Sequence, residues 1–273
     1  MISRLSRILA TLGLITMPAL APAQDHGLTS ASIIPGWKSD PNTMIAGLRL
    51  TLAPGWKTYW RAPGDAGIPP QISWAGSGNI ASARIRWPRP NVYETRDMRT
   101  IGYSHEVVFP IELTMVDPSR PVNVHAEALL GVCESICVPV DVKLTRTLDT
   151  EQATPAEVQA IREALADMPK PGAAHGLRST TCTAEPIRDG LKLRVDLQMP
   201  PLGGNEVGVI EMPDKDIWVS DSTNHRTGDT LTVETELVPP GAKPFGLDRS
   251  KLRITVLGDG QAIETYGCTG SSD

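Results

Sequence analysis

Apolar and polar residues alternate strictly along one segment: Val122, Val124, Ala126 and Ala128 stand against Asn123, His125 and Glu127. A period of two belongs to an extended chain, so one face of this segment is buried and the other wet. Met44 to Leu52 reads the same way, with Ile45, Gly47 and Arg49 set against Ala46, Leu48 and Leu50. Further short strands are read at Trp56–Trp60, Gln71–Trp74, Ala83–Trp87, Glu106–Thr114 and Val138–Leu148. Turn-forming stretches such as Arg61-Ala62-Pro63-Gly64-Asp65-Ala66-Gly67 separate them, and 24 Gly and 24 Pro supply that punctuation along the chain. Frequent short strands without a strong helix between them predict an antiparallel β-sandwich.

One helix interrupts the pattern. Thr154-Pro155-Ala156-Glu157 is a capping box with proline at the first helical position, and Val158, Ile161, Leu165 and Met168 follow at helical spacing. Pro169 and Pro171 stop it. Beyond the loose Gly172-Ala173-Ala174-His175-Gly176, alternation returns in Leu191, Leu193, Val195 and Leu197, then over Thr230–Leu237 and Lys251–Leu257. The expected organisation is all-β: a sandwich over residues 24–150, a helical linker over 151–176 and a second sandwich over 177–273.

The first residues set the compartment. Arg4 and Arg7 precede an apolar run from Ile8 to Leu20, and Ala21-Pro22-Ala23 is a small-x-small cleavage site. These are the parts of a secretory signal peptide over residues 1–23, cut after Ala23, and they predict a periplasmic protein. The run is short for a span and holds Pro18, and nothing downstream approaches ~18 consecutive apolar residues, so no membrane span is expected. Losing Arg4 and Arg7 takes the net charge from −5 to −7, which argues against nucleic acid or anionic membrane as a partner.

In an oxidising compartment four cysteines invite pairing. They allow three connectivities. The simplest joins Cys182, which opens the second sandwich, to Cys268, which closes it, as a structural disulfide. Cys133 then pairs with Cys137; the alternatives force a cysteine of the first sandwich to bridge into the second. A bridge across so short a loop removes little unfolded-state entropy, so a chemical purpose is expected: reversible oxidation or metal binding. Exchange requires an accessible sulfur and a second one near enough to resolve a mixed disulfide. The bland alternative is an inert bridge in a periplasmic interaction module. Three intervening residues and the absence of a βαβ pattern set the pair apart from a thioredoxin motif.

Three motifs together carry a resemblance. Gly131-Val132-Cys133 with Ile136-Cys137-Val138-Pro139, the stretch Gly55-Trp56-Lys57-Thr58-Tyr59-Trp60-Arg61 continuing through Gly67, and Gly102-Tyr103-Ser104 are similar to the amino-terminal (alpha) domain of the thiol:disulfide interchange protein DsbD, on the ScsB-like branch. The similarity runs from about Ile33 to Leu148. It implies an immunoglobulin-like sandwich, with Cys133 and Cys137 as a redox couple that needs no cofactor. It also implies electrons received from a thioredoxin-like or membrane-embedded donor and passed to periplasmic clients, namely disulfide isomerases or cytochrome c maturation factors. By position Tyr93–Tyr103 corresponds to the family's cap loop and Tyr59 to its strand tyrosine, giving Tyr59, Tyr93 and Tyr103 a shielding role. Tyr93-Glu94-Thr95-Arg96-Asp97-Met98 departs from the family's acidic-then-aromatic cap. No transporter or thioredoxin-like domain follows within the 273 residues, so the donor is expected on another chain.

Copper is the rival chemistry. Soft thiolates at this spacing suit Cu(I), and a copper-tolerance role would use the same pair. A binuclear copper loop needs histidine four positions after the second cysteine and methionine three beyond; Asp141 and Leu144 stand there instead. His125 and Met115 are the remaining candidates to complete such a set, and no metal site is assigned. Trp37, Trp56, Trp60, Trp74 and Trp87 read as core of the first sandwich.

Overall fold

The computed structural model describes residues 27–64, 66–95, 98–149, 152–214 and 216–270, so the expected signal peptide and its cleavage site lie outside the described residues. Ten strands precede the helix: β1 (Leu28–Asp40), β2 (Thr43–Leu52), β3 (Lys57–Tyr59), β4 (Gln71–Ser73), β5 (Ile80–Ile85), β6 (Asn91–Thr95), β7 (Met98–Ser104), β8 (Glu106–Met115), β9 (Val122–Cys133) and β10 (Cys137–Leu148). They form two antiparallel sheets, ordered β1-β2-β8-β5 and β10-β9-β3-β7-β6, with β4 also paired to β9.

The alternation decides which side chains meet between these sheets. Val122, Val124, Ala126, Ala128, Leu130 and Val132 of β9 all face inward and are at most 4% exposed. They pack with Ala46, Leu48 and Leu50 of β2, Phe109, Ile111 and Leu113 of β8, and Trp60, which is fully buried. Trp56, Trp74 and Trp87 border this core, while Trp37 belongs to a small cluster on the other side of the first sheet.

That cluster is built by the helix α1 (Pro155–Ala166). Its capping box forms as the sequence requires: the Glu157 amide donates to Thr154 Oγ1, and the Thr154 amide donates to the Glu157 carboxylate. Only Ile161 is buried along α1, packed against Ile34, Ile45 and Val108. The helix therefore lies on the outer face of the first sheet and covers a second apolar face that simple alternation had left wet. The stretch expected as a linker is fixed at both ends, because β11 (Lys170–Pro171) joins the following sheet.

The remaining strands are β12 (Ser179–Ile187), β13 (Gly190–Gln198), β14 (Val207–Glu211), β15 (Trp218–Val219), β16 (Thr223–Thr227), β17 (Thr230–Val238), β18 (Arg253–Leu257), β19 (Ala262–Tyr266) and β20 (Thr269–Gly270). They make sheets ordered β11-β19-β18-β14 and β15-β17-β13-β12-β20, with β16 on β17. Two short pairings, β11 with β19 and β12 with β20, are parallel. Each parallel partner, β11 or β20, is a two-residue strand laid along a sheet edge. Leu193, Val195, Leu197, Val233 and Ile254 fill the space between these sheets. Val207, Leu257 and Ala262 instead pack with the first core, so the two sheet pairs share apolar surface. Among the described residues no helix is long and apolar enough to cross a membrane.

Candidate redox site

β9 and β10 form one continuous hairpin in which Cys133 and Cys137 are direct cross-strand partners. Their Cα atoms are 4.1 Å apart and their sulfurs are bonded. At the tip the Glu134 amide donates to the Ile136 carbonyl at 3.2 Å, and Glu134, Ser135 and Ile136 are exposed. The parity of β9 explains where the sulfurs go: even positions up to Val132 face the core, so Cys133 faces outward. An outward residue on a sheet is ordinarily wet, yet Cys133 is only 6% exposed. Cys137, on the edge strand, is exposed.

Tyr59 provides the cover. β3 lies beside the end of β9, with Lys57 opposite Cys133 and Thr58 opposite Val132. Thr58 points inward and its hydroxyl donates to the Gly131 carbonyl at 3.0 Å, which ties the two strands together. Tyr59 points outward over the sulfurs. Its hydroxyl donates to Cys133 Sγ at 2.8 Å and lies 3.1 Å from Cys137 Sγ. Burial raises the pKa of this phenol, so it remains a neutral donor at physiological pH. Its ring occupies a slot walled by two glycines. A Cβ on Gly131 would come within 2.9 Å of Tyr59 Cδ2, and one on Gly67 within 2.9 Å of Cδ1.

The three tyrosines expected to shield the pair have different placements. Tyr93 sits on β6 with the Lys57 ammonium 4.6 Å from its ring centre, and its buried hydroxyl has no partner. The tip of the expected cap, Arg96 and Asp97, lies outside the described residues. Tyr103 does not shield the sulfurs. It pairs with Thr58, so it faces the core, where it is 5% exposed and donates its hydroxyl to the Pro88 carbonyl at 2.9 Å. Its ring meets Phe109 edge-on at 5.2 Å. One residue of register separates the two roles, because neighbouring positions on a strand face opposite ways.

The remaining candidates are dispersed. His125 is on β9 eight positions before Cys133, ~27 Å along an extended strand. Its ring contacts Thr145 and Glu127. Met115 is buried between the sheets, and Asp141 is exposed four positions past Cys137, ~13 Å along β10. Among the described residues no three His, Cys, Asp or Glu side chains converge as metal ligands. The second pair, Cys182 with Cys268, is bonded across 86 positions and joins β12 to the chain before β20. Sequence reasoning missed Lys57, Gly67 and Ile68 as parts of the site. The repeated small residues around the Trp-Lys-Thr-Tyr-Trp stretch were the available signal.

Residues 30–149 match the family described as thiol:disulfide interchange protein DsbD, N-terminal. Among solved structures the chain is similar to the N-terminal periplasmic domain of ScsB from Proteus mirabilis, with a TM-score of 0.66 and 27% identity over 89% of this chain and 92% of that one. Curated protein sequences contain no match. Through residues 30–149, then, the chain belongs to the family of the DsbD amino-terminal domain, in its ScsB-like form.

Proposed function

We propose that this is a periplasmic thiol–disulfide interchange protein in which Cys133 and Cys137 relay electrons from a thioredoxin-like or membrane-embedded donor to disulfide-containing clients. One observation carries the reading: of two bonded sulfurs, one is exposed at a hairpin and the other is buried under a hydroxyl donor. That asymmetry supports the following order of events. A donor thiolate attacks the exposed Cys137 Sγ in line with the S–S bond and expels Cys133 as a thiolate. The Tyr59 hydroxyl already donates to that sulfur, and a donor aimed where charge develops lowers the barrier. The donor's second thiolate then attacks its own half of the mixed disulfide and releases Cys137. The donor is left oxidised, and the pair is reduced by two electrons. In the client step Cys137 attacks the client disulfide and Cys133 resolves the new mixed disulfide, restoring the bridge as the client dithiol departs.

On this reading the chain comprises an amino-terminal redox sandwich over residues 24–150 and a second sandwich over 177–273 stapled by Cys182–Cys268, joined by the helical stretch 151–176. The residues 1–23 direct export. The match to a periplasmic domain supports the compartment.

The test is equilibration of the full chain in graded glutathione buffers. A working relay has a potential above roughly −300 mV, near those of known exchange proteins, whereas a structural bridge lies below it. Cys133→Ser should accumulate a mixed disulfide through Cys137 when challenged with an oxidised thioredoxin-like protein. A pair that stays oxidised in every buffer, or a Cys133→Ser variant that turns over normally, ends the proposal.

A further inference from the structure

The end of β3 is held from outside the first sheet pair. Arg61 follows Tyr59 by two positions, just past the end of β3. Its side chain is 9% exposed and reaches strands of the second sheet pair: Nε donates to Glu211 at 2.9 and 3.1 Å, and Nη2 donates to Glu264 at 2.9 Å and to Thr255 at 3.2 Å. Arg253 completes the network from the far side, 2.6 Å from Glu264. Burial pulls the Arg61 pKa down while the charge of Glu211 opposes that shift, and Nη1 is buried without a hydrogen-bond partner. The guanidinium also stacks 3.7 Å from the Trp60 ring centre, which clamps the residue between Tyr59 and Arg61.

The chain leaving Arg61 then returns to Tyr59. The Ile101 amide donates to the Pro63 carbonyl at 2.9 Å, and the Trp60 amide to the Ile101 carbonyl at 3.0 Å. A Cβ on Gly64 would lie 3.4 Å from Asp221 of the second half, and Arg99 beside it donates to the Ser222 carbonyl at 2.9 Å. Three residues later Gly67 forms one wall of the tyrosine slot, with Ile68 against Gly131. Both the strand end and the loop that confines Tyr59 thus rest on the second half of the chain.

We propose that Arg61 is a positioning residue through which the second sandwich holds the Tyr59 hydroxyl on the sulfurs, and so sets how readily the Cys133–Cys137 pair is reduced. The inference rests on the exchange role proposed above and gives the second sandwich a task in it. A hydroxyl that donates to sulfur favours the thiolate over the bridge, so loosening Tyr59 should shift the pair toward the disulfide.

The experiment compares the glutathione equilibrium constant of the full chain in wild type, Arg61→Met, Tyr59→Phe and the double variant, with far-UV circular dichroism as the check on fold. Arg61→Met and Tyr59→Phe should each favour the oxidised form by roughly tenfold, and the double variant no more than either alone. Arg61→Lys should recover part of the shift. Should Arg61→Met fail to fold, Arg61→Lys and Glu211→Gln carry the same comparison, each alone and with Tyr59→Phe. A wild-type constant in the folded Arg61 and Glu211 variants overturns the inference, as does a shift of full size in the Tyr59→Phe background. A wild-type pair that never equilibrates with glutathione instead overturns the exchange role itself.

Discussion

Gly131 and Tyr59 fit together only because one of them lacks a side chain: an added Cβ would stand 2.9 Å from the tyrosine ring and 2.7 Å from Ile68. The hydroxyl at the far end of that ring is the group that touches both sulfurs. A methyl group at residue 131 must therefore move either the ring or the loop behind it. Gly131→Ala should cost about 1–3 kcal/mol by overpacking. It should also favour the disulfide in glutathione equilibration, as loss of the hydroxyl would. A variant with unchanged stability and equilibrium would show that the slot does not confine the ring.

The two cysteines should differ in reactivity once reduced. Cys133 is 6% exposed and Cys137 lies open on the edge strand. Pulsed alkylation of the reduced protein, read by peptide mass spectrometry, should modify Cys137 at least roughly tenfold faster, since access controls thiol chemistry as strongly as ionisation does. Equal rates would remove the basis for the assigned order of attack.

Alkali should loosen the first sheet pair. Burial raises the pKa of Tyr59, and of Tyr103 well above its ordinary value. A raised folded pKa means that the native state holds its proton longer than the unfolded chain. The stability this represents is intact below the unfolded value near 10.0 and is lost as pH rises through the folded ones. Urea midpoints should be level between pH 8 and 9 and fall between pH 10 and 12, and less steeply in Tyr103→Phe. A Tyr103→Phe variant with the wild-type slope would rule out this residue as the source.

The helix is expected to stabilise the first sheet pair rather than merely connect two halves. Ile161 is fully buried against Ile34, Ile45 and Val108. Truncation to alanine leaves a cavity beneath α1 and should cost about 2–5 kcal/mol in denaturant unfolding. A loss below ~0.5 kcal/mol, the range of an exposed site, would mean that α1 is only a tether.

Much of the framework was legible in the residues because strands and caps are local. The alternation from Val122 onward fixed which side chains of β9 face the core, and the same parity sends Cys133 outward. Thr154 and Glu157 announced the start of the helix through bonds spanning three positions. The long strand β1 went unread: Leu28–Asp40 combines a proline, a tryptophan and several serines without a clean period, and it forms because β2 pairs along it.

The sequence alone settled that this chain builds sandwiches from short strands and displays two neighbouring cysteines, since both follow from residue type and spacing. Tertiary packing alone decided that Tyr59 rather than Tyr103 covers the sulfurs, that α1 lies against a sheet, and that Arg61 reaches Glu211 and Glu264. Those contacts join positions 74, 150 and 203 apart. No local preference encodes a meeting at such distance; it exists only once both sheet pairs have closed and the buried charges have found one another.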